Sequence, residues 1–165
     1  MTTQEFNKVF PHAMHGETIE PFFHKGQWAI HDVLPILLSK MGKAQVKIAT
    51  FGISEDGLRP LFFLMDEGAI SELTLLLDMT VKRHKLDVLL FATNITPNIR
   101  LESNHSKILL VKSATHAFGI VGSMNLNQPR RFEAGFYFTV GKHFDYFETM
   151  FDKIYTEAIP YELDQ

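Results

Sequence analysis

The chain has 165 residues, no cysteine, 45% apolar residues and a formal net charge of −3. Its length and apolar content predict one domain with a sizeable core and exclude a disordered chain. The lack of cysteine excludes disulfides and thiolate metal sites, and no apolar run approaches the roughly 20 residues that cross a bilayer, so we expect a cytoplasmic protein with no membrane partner.

The predicted elements alternate between helix and strand before residue 97 and are mostly strands after it. Residues 1–26 contain scattered prolines and glycines and give no clear prediction. The expected helices span residues 28–41, 56–68, 80–92 and 142–158, with Asp32 and Thr80 as caps of the first and third. The expected strands span residues 46–53, 72–77, 99–102, 106–111, 117–122 and 132–140. This order predicts an α/β fold, a mixed β-sheet sandwiched between helices, in a single domain over residues 1–165.

Two polar pairs stand out in the strand-rich half. His105 and Lys107 are two residues apart, as are Ser123 and Asn125 after Gly122. Residues two apart share one face of a strand, so each pair is expected to aim at one point. An imidazole, an ammonium, a hydroxyl and an amide at one point suit a phosphate ester, since one group can attack or donate a proton while the others hold oxygens.

In this order, the motifs resemble the phospholipase D superfamily, whose signature is His-x-Lys, four residues, Asp, about six residues and then Gly-Ser-x-Asn. Glu133 lies where an acidic residue often follows in that family. Two departures occur: Lys112 stands at the Asp position, and nine residues separate it from Gly122. We interpret both as a rebuilt turn between two strands, and the alternative is weakened or lost activity.

The resemblance implies a catalytic set formed by His105, Lys107, Ser123, Asn125 and Glu133. His105 would be nucleophile or general acid, Lys107 and Asn125 would hold phosphoryl oxygens, and Ser123 would add a contact. Glu133 would accept the Nδ1 proton of the imidazole. The family's chemistry passes through a phosphohistidine with no metal and no cofactor. It needs two motif histidines, and single-motif members supply them as homodimers. We therefore expect a homodimer, which a two-fold axis permits because it places identical residues side by side.

The charge distribution fits a phosphodiester substrate. Residues 99–131 carry five basic residues and one acid, a local balance of +4. Arg130 and Arg131 are expected to bind flanking phosphates. Because single-motif dimers of the family are largely nucleases, we expect a DNA endonuclease, with DNA favoured over RNA. The alternatives are a module that binds nucleic acid or phosphate without turnover and a lipid phosphodiesterase, against which the lack of a membrane-binding helix argues.

Overall fold

The structure, a computed structural model, describes residues 1–161. It is built on an eight-stranded mixed sheet with the order β1-β7-β6-β5-β2-β3-β4-β8. The strands are β1 (Ile19–Lys25), β2 (Ala44–Thr50), β3 (Ile70–Asp78), β4 (Ile99–Glu102), β5 (Ile108–Ser113), β6 (Ala117–Gly122), β7 (Phe132–Phe138) and β8 (Ile159–Pro160). The helices are α1 (Thr3–Val9), α2 (Ile30–Met41), α3 (Glu55–Asp66), α4 (Thr80–His84), α5 (Leu86–Thr93) and α6 (Gly141–Glu157).

Helices cover both faces of this sheet, so the predicted α/β architecture is confirmed. Side chains of α1 to α5 form the larger core with one face, to which β3 contributes Leu75 and Leu77. The opposite face contributes Leu76 to a smaller core under Phe144 and Phe151 of α6. The alternation along β3 follows from the two-residue period of a strand, and burial on both faces explains why this strand reads as a continuous apolar run.

The predicted start of the α2 region was wrong by two residues, because Ala29 occupies the N-cap position. Asp32 lies in the first turn and its carboxylate accepts a hydrogen bond from the Ala29 N–H at 2.8 Å. Asp32 therefore pairs a backbone N–H at the helix start that would otherwise have no partner within the helix. Gly42 closes α2 with φ of 78°, a backbone conformation that favours glycine.

The single helix expected over residues 80–92 is two helices, α4 and α5, divided at Lys85. The backbone of Lys85 is not helical, with φ of −145° and ψ of 46°. Its ammonium donates to the carbonyl of Ile53 at 2.8 Å. The break thus lets Lys85 reach the loop after β2.

The N-terminal residues, which the sequence left unassigned, supply α1 and the edge strand β1. Phe10 follows α1 and its ring lies 5.1 Å from the rings of Trp28 and Tyr137. Strand β1 pairs in antiparallel register with β7, so that His24 lies opposite Glu133 and Pro21 lies opposite Phe136. The segment is therefore part of the core and borders the strand that carries Glu133.

The loops that carry the predicted site all lie at one end of the sheet. Strands β2, β3 and β4 are parallel, whereas β5 is antiparallel to β2 and β6 is antiparallel to β5. The carboxyl ends of β2, β3, β4 and β6 therefore lie at the same end as the amino ends of β5 and β7. Residues 103–107 and 123–131, which hold the predicted site, lie in loops at this end. Among residues 1–161, no helix is both long and apolar enough to cross a bilayer.

Candidate functional site

A cleft of about 680 Å³ lies at this end of the sheet, and every residue of the predicted site lines it. Its walls come from the loops after β2 and β6, the loop before β5 and the start of β7. The predicted residues in its lining are His105, Lys107, Ser123, Asn125, Arg130, Arg131 and Glu133. The sequence order alone therefore predicted the convergence of these side chains.

His105 and Lys107 lie in the loop before β5, not on a strand as expected, because β5 begins at Ile108. Asn104 shapes this loop: its side-chain Oδ1 accepts from the Ser106 N–H at 3.1 Å. The carboxylate of Asp78, at the end of β3, accepts from the Asn104 N–H at 3.0 Å. These two bonds replace the strand ladder that the sequence pattern suggested.

The Lys107 side chain folds back onto His105. Its Nζ lies 2.6 Å from the His105 carbonyl oxygen and 3.1 Å from Nδ1 of the His105 ring. Phe51, in the loop after β2, packs against both residues. The centroid of its ring lies 4.9 Å from the centroid of the His105 ring and 5.5 Å from Lys107 Nζ. Lys107 is only 8% exposed. The two motif residues thus form one packed unit in the lining of the cleft.

Ser123 and Asn125 lie just past the end of β6 and are held by different neighbours. The Ser123 N–H donates to the Ala134 carbonyl at 3.0 Å, and the Ser123 hydroxyl accepts from the Ala134 N–H at 3.1 Å. Asn125 Oδ1 accepts from the Gly52 N–H at 3.0 Å and from the Thr50 hydroxyl at 3.3 Å. This leaves the Asn125 amide nitrogen as the group that can meet a ligand oxygen in the cleft.

The expected bond between Glu133 and His105 Nδ1 is not formed. Glu133 instead accepts a hydrogen bond from the Ser123 hydroxyl, and Nδ1 of His105 faces the Lys107 ammonium. The register of β7 explains this, because it places Ala134 and Glu133 beside Ser123. Glu133 therefore lines the cleft and orients Ser123 rather than the imidazole.

Lys112 is not part of a turn, so the interpretation of this position as a rebuilt turn was wrong. It lies within β5 and its ammonium bonds Glu148 of α6 at 2.9 Å. The turn itself spans Ser113 to His116, closed by a hydrogen bond of 2.9 Å from the Ser113 N–H to the His116 carbonyl. Five residue steps of about 3.3 Å each separate the two positions, so Lys112 lies roughly 16 Å from Lys107. The replaced Asp position belongs to the sheet–helix packing and not to the cleft.

Burial and hydrogen bonding shift two pKa values near the cleft. Burial lowers the pKa of the Lys107 ammonium, and the charges of Glu133 and Asp78 offset part of that decrease. Burial raises the pKa of the Asp78 carboxyl, but hydrogen bonds from Thr80 and from the Asn104 N–H outweigh it, so that the pKa is lowered overall. The lowered pKa of Asp78 favours its carboxylate form, and in that form it holds the His105 loop.

Three further residues belong to this site and were not predicted from the sequence: Phe51, Asp78 and Lys85. Asp78 was detectable, because an acidic residue directly follows the apolar run of β3 and precedes Thr80. Lys85 lines the cleft from the break between α4 and α5, which helix periodicity does not show. The region described, residues 1–161, contains no group of three or more histidine, aspartate or glutamate side chains placed to hold a metal ion.

The arrangement of sheet, loops and cleft is shared with known structures. Nuc from Salmonella typhimurium, a phospholipase D family member, superposes with a TM-score of 0.66 at 14% identity, covering 89% of this chain and 99% of Nuc. The chain has the phospholipase D fold. NucT from Helicobacter pylori gives a TM-score of 0.63 at 12% identity over 87% of this chain and all of NucT.

A longer protein shares the same fold. Phosphatidylserine synthase of Haemophilus influenzae superposes with a TM-score of 0.55 at 13% identity, covering 96% of this chain and 46% of the synthase. No protein-family model and no curated protein sequence matches the chain. The resemblance inferred from the motifs is thus confirmed at the level of the phospholipase D fold.

Proposed function

We propose that this protein is a metal-independent phosphodiesterase, an endonuclease that cleaves DNA through a phosphohistidine at a homodimer interface. The observation that carries the proposal is the cleft itself, in which His105 lies beside Lys107, Ser123 and Asn125 at the end of a phospholipase D fold. Phosphodiester cleavage needs a nucleophile, neutralisation of the phosphoryl oxygens and protonation of an alkoxide. In the lining, His105 can supply the nucleophile, and Lys107 and Asn125 can neutralise the phosphoryl oxygens, whereas the proton donor would be a second copy of His105.

The proposed reaction has two steps. The Nε2 lone pair of one His105 attacks phosphorus, the bond from phosphorus to the ester oxygen breaks, and the departing oxygen takes a proton from the second subunit's copy of the same histidine. Water then attacks the phosphohistidine, giving its proton to that second imidazole, and the P–N bond breaks to release a phosphomonoester end. Lys107 and the Asn125 amide nitrogen hold the non-bridging oxygens throughout.

The requirement for two imidazoles supports the homodimer. Among the described residues, His105 is the one histidine that lines the cleft. A two-fold axis beside the cleft would bring its copy from a second subunit opposite it. Arg130 and Arg131, both exposed at the rim, supply the positive charge that a polyanionic substrate such as DNA requires.

A chelator-resistant cleavage assay tests the activity. Wild-type protein in EDTA is expected to hydrolyse bis(p-nitrophenyl) phosphate and to nick plasmid DNA. His105→Ala should lower the rate at least a hundredfold, roughly the contribution of a histidine acid or base. The matched control is His116→Ala, because His116 lies in the turn after β5, away from the cleft. Equal rates for wild type and His105→Ala would refute the proposal.

Mixing subunits tests the shared site. When wild-type protein is exchanged with increasing His105→Ala protein, a site that needs both imidazoles loses activity as the square of the wild-type fraction. Exchange with His116→Ala protein should leave the activity unchanged. A linear decrease with His105→Ala, or a monomer in sedimentation analysis at the assay concentration, would exclude the shared site.

A second function, binding of nucleic acid without turnover, is favoured by one specific observation. Nδ1 of His105 faces an ammonium rather than a carboxylate, and Glu133 is engaged by Ser123. An imidazole without a carboxylate partner is a weaker nucleophile. Protein that retards DNA in a gel but leaves it intact across a wide pH range would establish this function instead.

A further inference from the structure

An exposed aromatic patch lies beside the cleft, formed by Phe23, Phe132 and Phe136. We propose that this patch stacks against the unpaired bases of single-stranded nucleic acid whose phosphates occupy the cleft. The inference rests on the proposed function, since it places the substrate's bases next to its scissile phosphate. It also assigns a preference among nucleic acids: strands with unpaired bases should bind more tightly than a duplex.

The three rings are far more exposed than a folded sheet normally leaves them. Phe23 is 71% exposed, Phe132 63% and Phe136 49%. They project from β1 and β7 on the same face of the sheet as Phe138, which is buried under α6. Helix α6 covers the carboxyl end of β7 but leaves the amino end, next to the cleft, uncovered. Large exposed aromatic surfaces of this kind mark binding sites.

The patch is continuous with the cleft. Phe132 lines the cleft directly and follows Arg130 and Arg131 in the chain. Its ring stacks on that of Phe23, with centroids 5.4 Å apart and planes 20° apart. A phosphate held near His105 would therefore have two parallel phenyl rings within reach of the adjoining nucleotides.

The charges around the patch favour a polyanion over a second copy of this chain. The Lys25 ammonium lies 5.1 Å from the centre of the Phe132 ring, and Arg130 and Arg131 are both exposed. A two-fold contact centred on the three rings, rather than on His105, would bring the Lys25 ammonium groups of both subunits together, and like charges repel. A nucleic-acid strand brings phosphates to these cations and bases to the rings. Such a pairing of basic groove and aromatic platform is how proteins hold single strands.

The geometry also discriminates between single and double strands. In a duplex, each base is already stacked on its neighbours and paired, so its flat face is not available to a phenyl ring. An unpaired base can turn out and stack on an aromatic side chain. The patch should therefore strengthen binding of single strands without strengthening binding of duplexes.

Binding to strands with and without bases tests this proposal. The two probes are a strand of about twelve thymidines and a strand of equal length in which abasic sugars replace the central nucleosides. Both are measured by fluorescence anisotropy in the His105→Ala background, so that the strands stay intact. The variants are Phe132→Leu, which keeps apolar bulk, and Phe132→Tyr, which keeps a ring. Phe63→Leu is the matched control, because Phe63 is 52% exposed on α3 outside the cleft.

We expect Phe132→Leu to reduce the preference for the thymidine strand about five- to tenfold, with Phe132→Tyr restoring it and Phe63→Leu leaving it unchanged. An unchanged preference in Phe132→Leu would overturn the proposal. A change of oligomeric state in Phe132→Leu would also overturn it, by assigning the patch to a subunit contact. This binding test does not depend on catalysis, because it is made in the His105→Ala background. Failure of the proposed function would instead appear as a lack of cleavage by the wild-type protein.

Discussion

The Lys107 ammonium lies 3.1 Å from Nδ1 of the His105 ring. An ammonium can only donate, so Nδ1 must accept and the neutral ring carries its proton on Nε2. This tautomer points an N–H at the cleft that can donate a hydrogen bond to a ligand oxygen, whereas protonation of an alkoxide leaving group requires the imidazolium. Attack by Nε2 requires the other tautomer, and a substrate oxygen that draws Lys107 away from Nδ1 would permit it.

We therefore predict that the neutral His105 ring is the Nε2–H tautomer in the ligand-free protein. Lys107→Met keeps most of the side-chain volume and removes the donor, so the preference of His105 for the Nε2–H tautomer should disappear. The imidazole nitrogen chemical shifts of labelled protein distinguish the two tautomers, with His116 as an internal comparison. Finding the Nδ1–H form in the wild-type protein would contradict the contact.

Asn125 is predicted to have two separable roles. Its Oδ1 anchors the loop after β2 through the Gly52 N–H and the Thr50 hydroxyl, whereas its amide nitrogen serves the ligand. Asn125→Asp keeps the acceptor, removes the donor and adds a negative charge in the cleft. Its urea midpoint should stay near wild type while its affinity for inorganic phosphate falls at least tenfold.

Asn125→Ala separates the anchor from the ligand contact. It leaves the Gly52 N–H without a partner, whereas the Thr50 hydroxyl keeps its hydrogen bond to the Gly52 carbonyl, and it should lower the free energy of unfolding by about 1–3 kcal/mol. Equal stability of Asn125→Ala and Asn125→Asp would show that the anchor contributes little.

Gly57 is predicted to be irreplaceable although it lies in a helix. Alanine is ordinarily more favourable than glycine in a helix by about 1 kcal/mol. A Cβ at position 57 would overlap the carbonyl of Leu126, next to Asn125. Gly57→Ala should therefore destabilise the fold by about 1–3 kcal/mol and lower activity. Gly141→Ala is the control, since a Cβ at the start of α6 meets no atom within 4 Å. Thermal unfolding of both variants tests this prediction: Gly57→Ala should unfold at a lower temperature than wild type, and Gly141→Ala should not.

The loop that carries His105 should loosen in acid. The folded-state pKa of Asp78 lies below its ordinary value of 3.8 because of its hydrogen bonds. Its carboxylate therefore stabilises the fold above that ordinary value, and the contribution is lost as the pH falls through the lowered pKa. Asp78→Asn should be less stable than wild type by about 1–3 kcal/mol at neutral pH, with the difference shrinking below about pH 3. Urea unfolding at both pH values measures this, and a difference that grows in acid would refute it.

Lys112 is predicted to affect stability and not turnover. Its ammonium pairs with Glu148, which Lys47 also contacts at 3.2 Å. Lys112→Met should cost about 1 kcal/mol of unfolding free energy and leave the rate of folded protein within about twofold. Lys112→Asp restores the family's residue but places it beside Glu148, so it should lose more stability and gain no activity. A tenfold rate change in folded Lys112→Met would place this position in the active site after all.

Sequence patterns predicted the strands best where turn residues bound a clear alternation. The ends of β4 and β6 were predicted to the residue and are confirmed. The continuous helix over residues 80–92 was wrong, because the side chain of Lys85 finds a carbonyl on another loop and a tertiary contact of this kind leaves no periodic signal. No secondary structure was predicted for the N-terminal segment, because its residues pack only against residues far away in the chain, as Phe10 does against Tyr137.

For the site, the order of the motifs predicted which side chains meet but not how they bond. Convergence of His105, Lys107 and Asn125 follows from two neighbouring strands and was foreseen. The partner of Glu133 depends on the register between β6 and β7, which a sequence without an alignment does not specify. The packing of Phe51 on His105 joins loops more than fifty residues apart and could be known only from the structure.

Pro21 has a consequence for how copies of this protein can associate. A proline in the middle of the outermost strand removes one of the N–H groups that another chain would need to extend the sheet. At the other border, β8 is only two residues long and also ends on a proline. Neither edge strand therefore favours extension of the sheet by a strand of another molecule. Self-association of this fold is directed to its side-chain surfaces and loops rather than to backbone pairing.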